Sequence, residues 1–113
     1  MMKASVVAVL TLSLFAVGVP AAHAAVPEKP STVRQVRLDP EHVLLTWKDK
    51  SLNEDGFEIL RRTIADPNYE SRGTVAAGVT QFLDEVPRGT VYIYEVVAFN
   101  DDGESDSSNQ CYV

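Results

Sequence analysis

The segment Thr90–Asn100, TVYIYEVVAFN, constrains this chain more than any other stretch. β-Branched and aromatic side chains fit a pleated surface and lose χ1 freedom in a helix, so the run favours an extended strand. Successive strand side chains point to opposite faces. Tyr92, Tyr94, Val96 and Ala98 therefore line one face, expected to be the core. Val91, Ile93, Glu95, Val97 and Phe99 line the other. The following residues, NDDGES, are turn-formers: Asx side chains bond their own backbone and Gly103 supplies a positive φ. A hairpin there returns the chain beside the strand it has just left.

The same pattern recurs upstream. TVRQVRL (32–38) reads as a polar, edge-like strand closed by the turn DPEH, and HVLLTW (42–47) places Val43, Leu45 and Trp47 on one face. GFEILRRT (56–63) sets Phe57 and Ile59 against Glu58, Leu60 and Arg62. RGTVAAG (72–78), TQFLDE (80–85) and SNQCYV (108–113) complete six or seven strands, and no stretch keeps helical periodicity. Short strands at this spacing predict an all-β sandwich or barrel.

The N-terminus has a different character. Lys3 precedes an uncharged apolar run, Ser5–Val19, which ends at Pro20 and the small-residue site Ala22-His23-Ala24. That order predicts a secretory signal peptide over residues 1–24, cut after Ala24 or one residue later. The run is shorter than the ~20 residues a membrane-spanning helix needs, so no membrane insertion is expected after cleavage. Residues 25–29 read as an extended lead-in and 30–113 as one domain. About 89 residues remain after cleavage, enough to fold alone. The product is expected to be secreted or periplasmic, and the signal suits a bacterial exporter.

Losing Lys3 takes the formal net charge from −6 to about −7. Nucleic-acid affinity comes largely from Lys and Arg on phosphates, so no nucleic-acid partner is expected. Anionic membrane surfaces are disfavoured for the same reason.

Several spaced pieces of the chain together resemble a fibronectin type III domain over essentially the whole of 30–113. They are Pro30, the Leu45-x-Trp47 pair, NEDGFEILRR with Phe57 and Ile59, TQFLDE with Phe82 and Asp84, and the run PRGTVYIYEVVAFNDDGES. In the last run Tyr92, Val96, Ala98, Asn100, Gly103 and Ser105 fall at the family's spacing. The resemblance implies a seven-stranded antiparallel immunoglobulin-like sandwich with a core of Leu45, Trp47, Phe57, Ile59, Phe82, Tyr92, Val96 and Ala98. It also implies that Tyr92 is the tyrosine-corner residue, whose hydroxyl bonds the backbone. The family carries Leu-x-Pro-Gly-Thr and one residue more before that tyrosine. Val86-Pro87-Arg88-Gly89-Thr90 here makes a shortened or rearranged connection.

For chemistry, the candidates are few. Asp101, Asp102, Glu104 and Asp106 offer oxygens to a cation, but their order does not match a calcium loop, and a hairpin turn explains them. Asp49, Ser51, Asn53 and Asp55 invite the same two readings, with the turn again preferred. His42 is the one histidine outside the signal peptide, and no serine lies in a nucleophile elbow. No cofactor and no enzymatic activity are expected. Cys111, the single cysteine, excludes an internal disulfide and is either a small buried side chain or an interchain disulfide link to a partner. Leu60, Arg62, Val91, Ile93, Val97 and Phe99 share an outward face whose apolar character marks a candidate partner surface. Tyr69 and Tyr112 are the candidate platforms for a polysaccharide. The expected role is a non-catalytic binding or adhesion module for a protein or cell-surface ligand. A small subunit of an exported assembly and a carbohydrate-associated module are the alternatives.

Overall fold

Residues 25–112 are described by the computed structural model, and among them the alternating pattern resolves into eight strand segments and no helix. They are β1 (Ser31–Asp39), β2 (His42–Lys48), β3 (Gly56–Thr63), β4 (Glu70–Ala76), β5 (Gln81–Glu85), β6 (Tyr92–Asn100), β7 (Gly103–Glu104) and β8 (Cys111–Tyr112). The predicted signal peptide, Val113 and the side chain of Tyr112 lie outside the described residues. Every pairing is antiparallel. One sheet has the order β1-β2-β5; the other runs β4-β3-β6, with β7 and β8 both on β6.

β7 and β8 are two halves of one seventh strand, interrupted between Ser105 and Gln110. Serine side chains span the gap. The Ser105 Oγ accepts from the Ala98 N–H (3.0 Å) and the Ser108 Oγ from the Val96 N–H (2.9 Å). The backbone N–H groups of the same serines donate to the Ala98 and Val96 carbonyls. A hydroxyl can thus replace a ladder partner, and the buried β6 backbone stays satisfied without a regular neighbour.

Inward-facing residues of both sheets meet in the core. Leu45, Phe57, Ile59, Tyr94, Val96 and Ala98 are fully buried, with Val33, Val43, Trp47 and Val86 nearly so. Trp47 and Phe57 pack edge to face at 5.6 Å between centroids. Phe82 and Tyr92 sit at the margin, partly buried against the cluster. The lead-in is part of the fold: Pro27 and Pro30 are buried, and the Ala25 carbonyl accepts from the Asn53 and Asn100 amides.

Local chemistry shapes the corners. Gly56 has no room for a Cβ, which would collide with the Val75 carbonyl and the Phe99 ring. The β6–β7 hairpin pairs Asn100 with Gly103, leaving Asp101 and Asp102 as its two loop residues, and Gly103 has φ 136°. Thr32 has φ 53°, beside an irregularity in the β1–β2 register. Such a value is unusual for a β-branched residue. Just beyond it, Asn109 takes the place of a strand neighbour: its Oδ1 accepts from the Val33 N–H and its Nδ2 donates to the Val33 carbonyl.

Candidate functional site

The deepest polar cluster is built by inward positions near one end of the sandwich. Asp84, 1% exposed, follows Phe82 on the inward side of β5. Its carboxylate accepts from Arg61 Nη1 (2.8 Å), Arg72 Nε (3.0 Å) and the Tyr94 hydroxyl (2.6 Å). Arg61 also donates through Nε to Glu70 (2.9 Å) and lies 4.1 Å from the Tyr92 ring centre. Burial, reinforced by the bond to Asp84, pushes the Tyr94 phenol well above its ordinary range. Each buried charge has an opposite partner, the arrangement that makes such burial tolerable. The cluster ties β3, β4, β5 and β6 together around the buried Asp84, and at its margin Arg61, Glu70 and Tyr92 line a small cleft of about 170 Å³.

This cluster corrects the expectation for Tyr92. The Tyr92 ring is only half-buried beneath Arg61, and its hydroxyl makes no hydrogen bond among the described residues. The buried hydroxyl bond belongs to Tyr94, two residues deeper, because Asp84 supplies the acceptor there. The short connection before β6 closes as a turn: the Thr90 N–H reaches the Pro87 carbonyl, Gly89 has φ 77°, and Val86 is anchored on the Glu41 carbonyl.

The outward face of β3 and β6 is covered. Ile93 is 2% and Val97 3% exposed, so neither is available to a partner, contrary to the sequence expectation. Leu60, Arg62 and Phe99 are half-buried; Val91 alone of the six is exposed. The cover comes from distant sequence. Tyr69, in the β3–β4 loop, donates its hydroxyl to Glu95 (2.8 Å), and Gln110 Nε2 donates to the same carboxylate (2.9 Å). Arg62 stacks on Tyr69 at 5.4 Å. Burial on its own raises the Glu95 pKa, but bonds from Gln110, Tyr69 and Ser107 and the charge of Arg62 outweigh it and hold it below its usual value.

In each acidic loop one side chain caps the loop's own backbone, Asn100 in the hairpin and Asp49 in the other. Asn100 Oδ1 caps the Asp102 N–H, and Glu104 lies beside Glu58, where burial and that neighbour raise its pKa. Asp106 and Glu104 border a cleft with Val26–Lys29, whereas Asp101 and Asp102 are exposed hairpin residues. In the other loop Ser51 is bonded by Asp49 and Glu54, and Glu54 also accepts from the Gly78 N–H. No group of three or more His, Cys, Asp or Glu among the described residues is arranged to hold a metal ion. Cys111 is partly buried against the core beside Gln35; burial pushes its thiol up to about 11, against a smaller lowering by Gln35. Its partner is therefore not a base, and His42 is engaged elsewhere, with Asp39 (2.9 Å). A cleft of about 550 Å³ is lined by Arg37, Asp39, Pro40, Gly89, Thr90 and Val91, but Arg37 spends both terminal nitrogens on the Pro40 and Thr90 carbonyls.

Among the described residues, the outer face of β1-β2-β5 is an open sheet surface that carries apolar side chains. Val36 (56% exposed) stands opposite Leu44, and Leu44 opposite Leu83 (55% exposed). The three form an apolar row across the whole sheet, and Leu38 (57% exposed) lies on the same face. Sequence reasoning missed this row. β1 reads as polar, and only the pairing register shows that apolar residues on three separate strands are neighbours.

Two antiparallel sheets packed around a shared core define an immunoglobulin-like β-sandwich. Within that class the chain has the fibronectin type III fold. Residues of this chain superpose on an Fn3-like protein from Clostridium thermocellum with a TM-score of 0.66 at 22% identity, covering 78% of this chain and 92% of that one. The FN1-FN3 domains of chicken CNTN1 give 0.70 at 19%, and titin domains A168-A170 give 0.68 at 20%; each covers 78% of this chain, which spans 32% of theirs. At these identities the likeness is one of fold. No protein-family model and no curated protein matches the sequence. Domains of this fold commonly serve as binding or structural modules and are generally non-catalytic.

Proposed function

We propose that this chain is a non-catalytic, exported binding module that engages a protein partner through the outer face of β1-β2-β5. The observation that carries the reading is the Val36–Leu44–Leu83 row, exposed at Val36 and Leu83 and half-buried at Leu44 between them. An outward sheet face ordinarily carries polar side chains. Contiguous apolar surface on a small domain marks a contact site. A polysaccharide partner has less support, because stacking on sugars wants open aromatic rings and the Tyr69 hydroxyl is already bound to Glu95. A disulfide-linked subunit also has less support, since the Cys111 thiol is half-buried with a raised pKa and so carries little thiolate.

The test is photocrosslinking in the cells that make the protein, with the reactive side chain at position 83 and, separately, at the hairpin position 101. A discrete crosslinked species from 83 and none from 101 is the expected result. Equal labelling from both positions, or none from 83, overturns the reading.

A further inference from the structure

We propose that the occupant of this face is a second copy of the same chain, packed about a twofold axis that runs along the Val36–Leu44–Leu83 row. The inference rests on the functional reading above and names its partner. An isologous contact must be complementary to itself, since the same patch faces both ways. Here two independent features satisfy that condition. The apolar row crosses the three strands through the pairs Val36↔Leu44 and Leu44↔Leu83, so a twofold along it lays the row on its own image. The same operation reverses strand direction and exchanges the two ends of the face.

Those ends carry opposite charge. Arg34 and Lys48, both exposed and outward by alternation with buried Val33 and Trp47, stand at one end. Asp39 and Glu85 stand at the other, with His42 between them in the ladder, and the exposed turn residue Glu41 lies beside them, its carboxylate paired with Arg88 (3.2 Å). The axis along the row therefore sets each basic end over the acidic end of the other copy. It also lays the stem of Arg34 over the exposed Leu38. A twofold along the strands does the reverse, acid over acid and base over base. Opposed charges of like sign are costly at an interface. The charge pattern thus selects one of the two face-to-face arrangements, in which the strands of the two copies align as in ordinary sheet packing. A three-stranded face is small beside a standard interface, and the chain is acidic overall. The dimer is accordingly a weak one that forms at high local concentration.

The test is sedimentation velocity on the chain as processed by the cells that make it, up to about 1 mM, where a complex with a Kd of about 1 mM or tighter is substantially populated. The wild type is expected to sediment faster with concentration, and less so at high salt. Leu83→Asp changes an exposed side chain, should keep the native Trp47 fluorescence, and is expected to weaken association at least tenfold. Two charge forms complete the test: one with Arg34→Glu and Lys48→Glu, the other with Glu41→Lys and Glu85→Lys. Each alone is expected to stay monomeric, and an equimolar mixture to associate, with Leu83→Asp in either abolishing the mixed species. A wild type that stays monomeric throughout overturns the inference, leaving the broader reading to its crosslinking result. A dimer insensitive to Leu83→Asp, or charge forms that fail to combine, also overturns it.

Discussion

Replacing Asp84 by Asn should cost this domain about 2–4 kcal/mol, and the figure follows from its three partners. The carboxylate is 1% exposed and accepts from Arg61, Arg72 and the Tyr94 hydroxyl. Removing one member of a buried ion pair costs about 3–5 kcal/mol, because the other charge is left uncompensated. Two features moderate that here: Arg61 keeps Glu70, and the Arg72 side chain is nearly a third exposed to water. Tyr94→Phe removes one hydrogen bond to a charged acceptor and should cost about 1.5–3 kcal/mol by itself. Both substitutions act on one network, so the double variant should be less destabilised than the sum, by about 1 kcal/mol. Urea unfolding followed by fluorescence of Trp47, the single tryptophan, reads all four proteins. In a domain of this size the Asp84→Asn loss corresponds to a fall in Tm of roughly 10–25 °C. A cost below about 1 kcal/mol, or strict additivity of the pair, would refute the claim that the cluster acts as one buried unit.

Other consequences are as direct. Thr32→Gly should leave stability unchanged or raise it by up to about 1 kcal/mol, because glycine relieves the positive φ; clear destabilisation in the same urea assay would show that the threonine side chain is needed there. NMR titration should place the His42 pKa above 6.5, chiefly through its bond to Asp39, and Asp39→Asn should lower it again. The sign is that of a raised basic group: its contribution is complete below the unfolded pKa and fades as pH rises through the folded one. Glu95 has the opposite sign, so the stability lost in Tyr69→Phe at neutral pH should shrink as pH falls through the depressed folded value; a cost independent of pH down to acid unfolding would contradict that link.

The inward pattern was legible because it is local. A period of two placed Leu45, Trp47, Phe57, Ile59, Val96 and Ala98 in the core, and all six are buried. It extended equally to Arg61, Asp84 and Tyr94, whose inward parity is visible in the sequence. Their mutual distance is not, since it depends on how β3, β5 and β6 are stacked. The outward face of β6 failed for a related reason. Parity says which way Ile93 and Val97 point but not what arrives above them, and the cover includes Tyr69 and Gln110, from outside the strand. The open row failed in reverse: Val36, Leu44 and Leu83 each look incidental until the register makes them adjacent. The last strand is broken by serine hydroxyls bonding to a backbone that their own segment could otherwise have paired with regularly.

That break has a consequence for aggregation. An outermost strand ordinarily offers a repeating row of free donors and acceptors that a foreign strand can extend. Between β7 and β8 the row is irregular, and three of its carbonyls are taken from within. The Asp106 and Asn109 carbonyls accept the hydroxyls of Ser105 and Ser108, and the Gln110 carbonyl accepts the Asn109 amide. A growing fibril arriving on that side finds no template in register. The irregular segment therefore blocks strand addition along this edge while leaving β6 itself fully bonded.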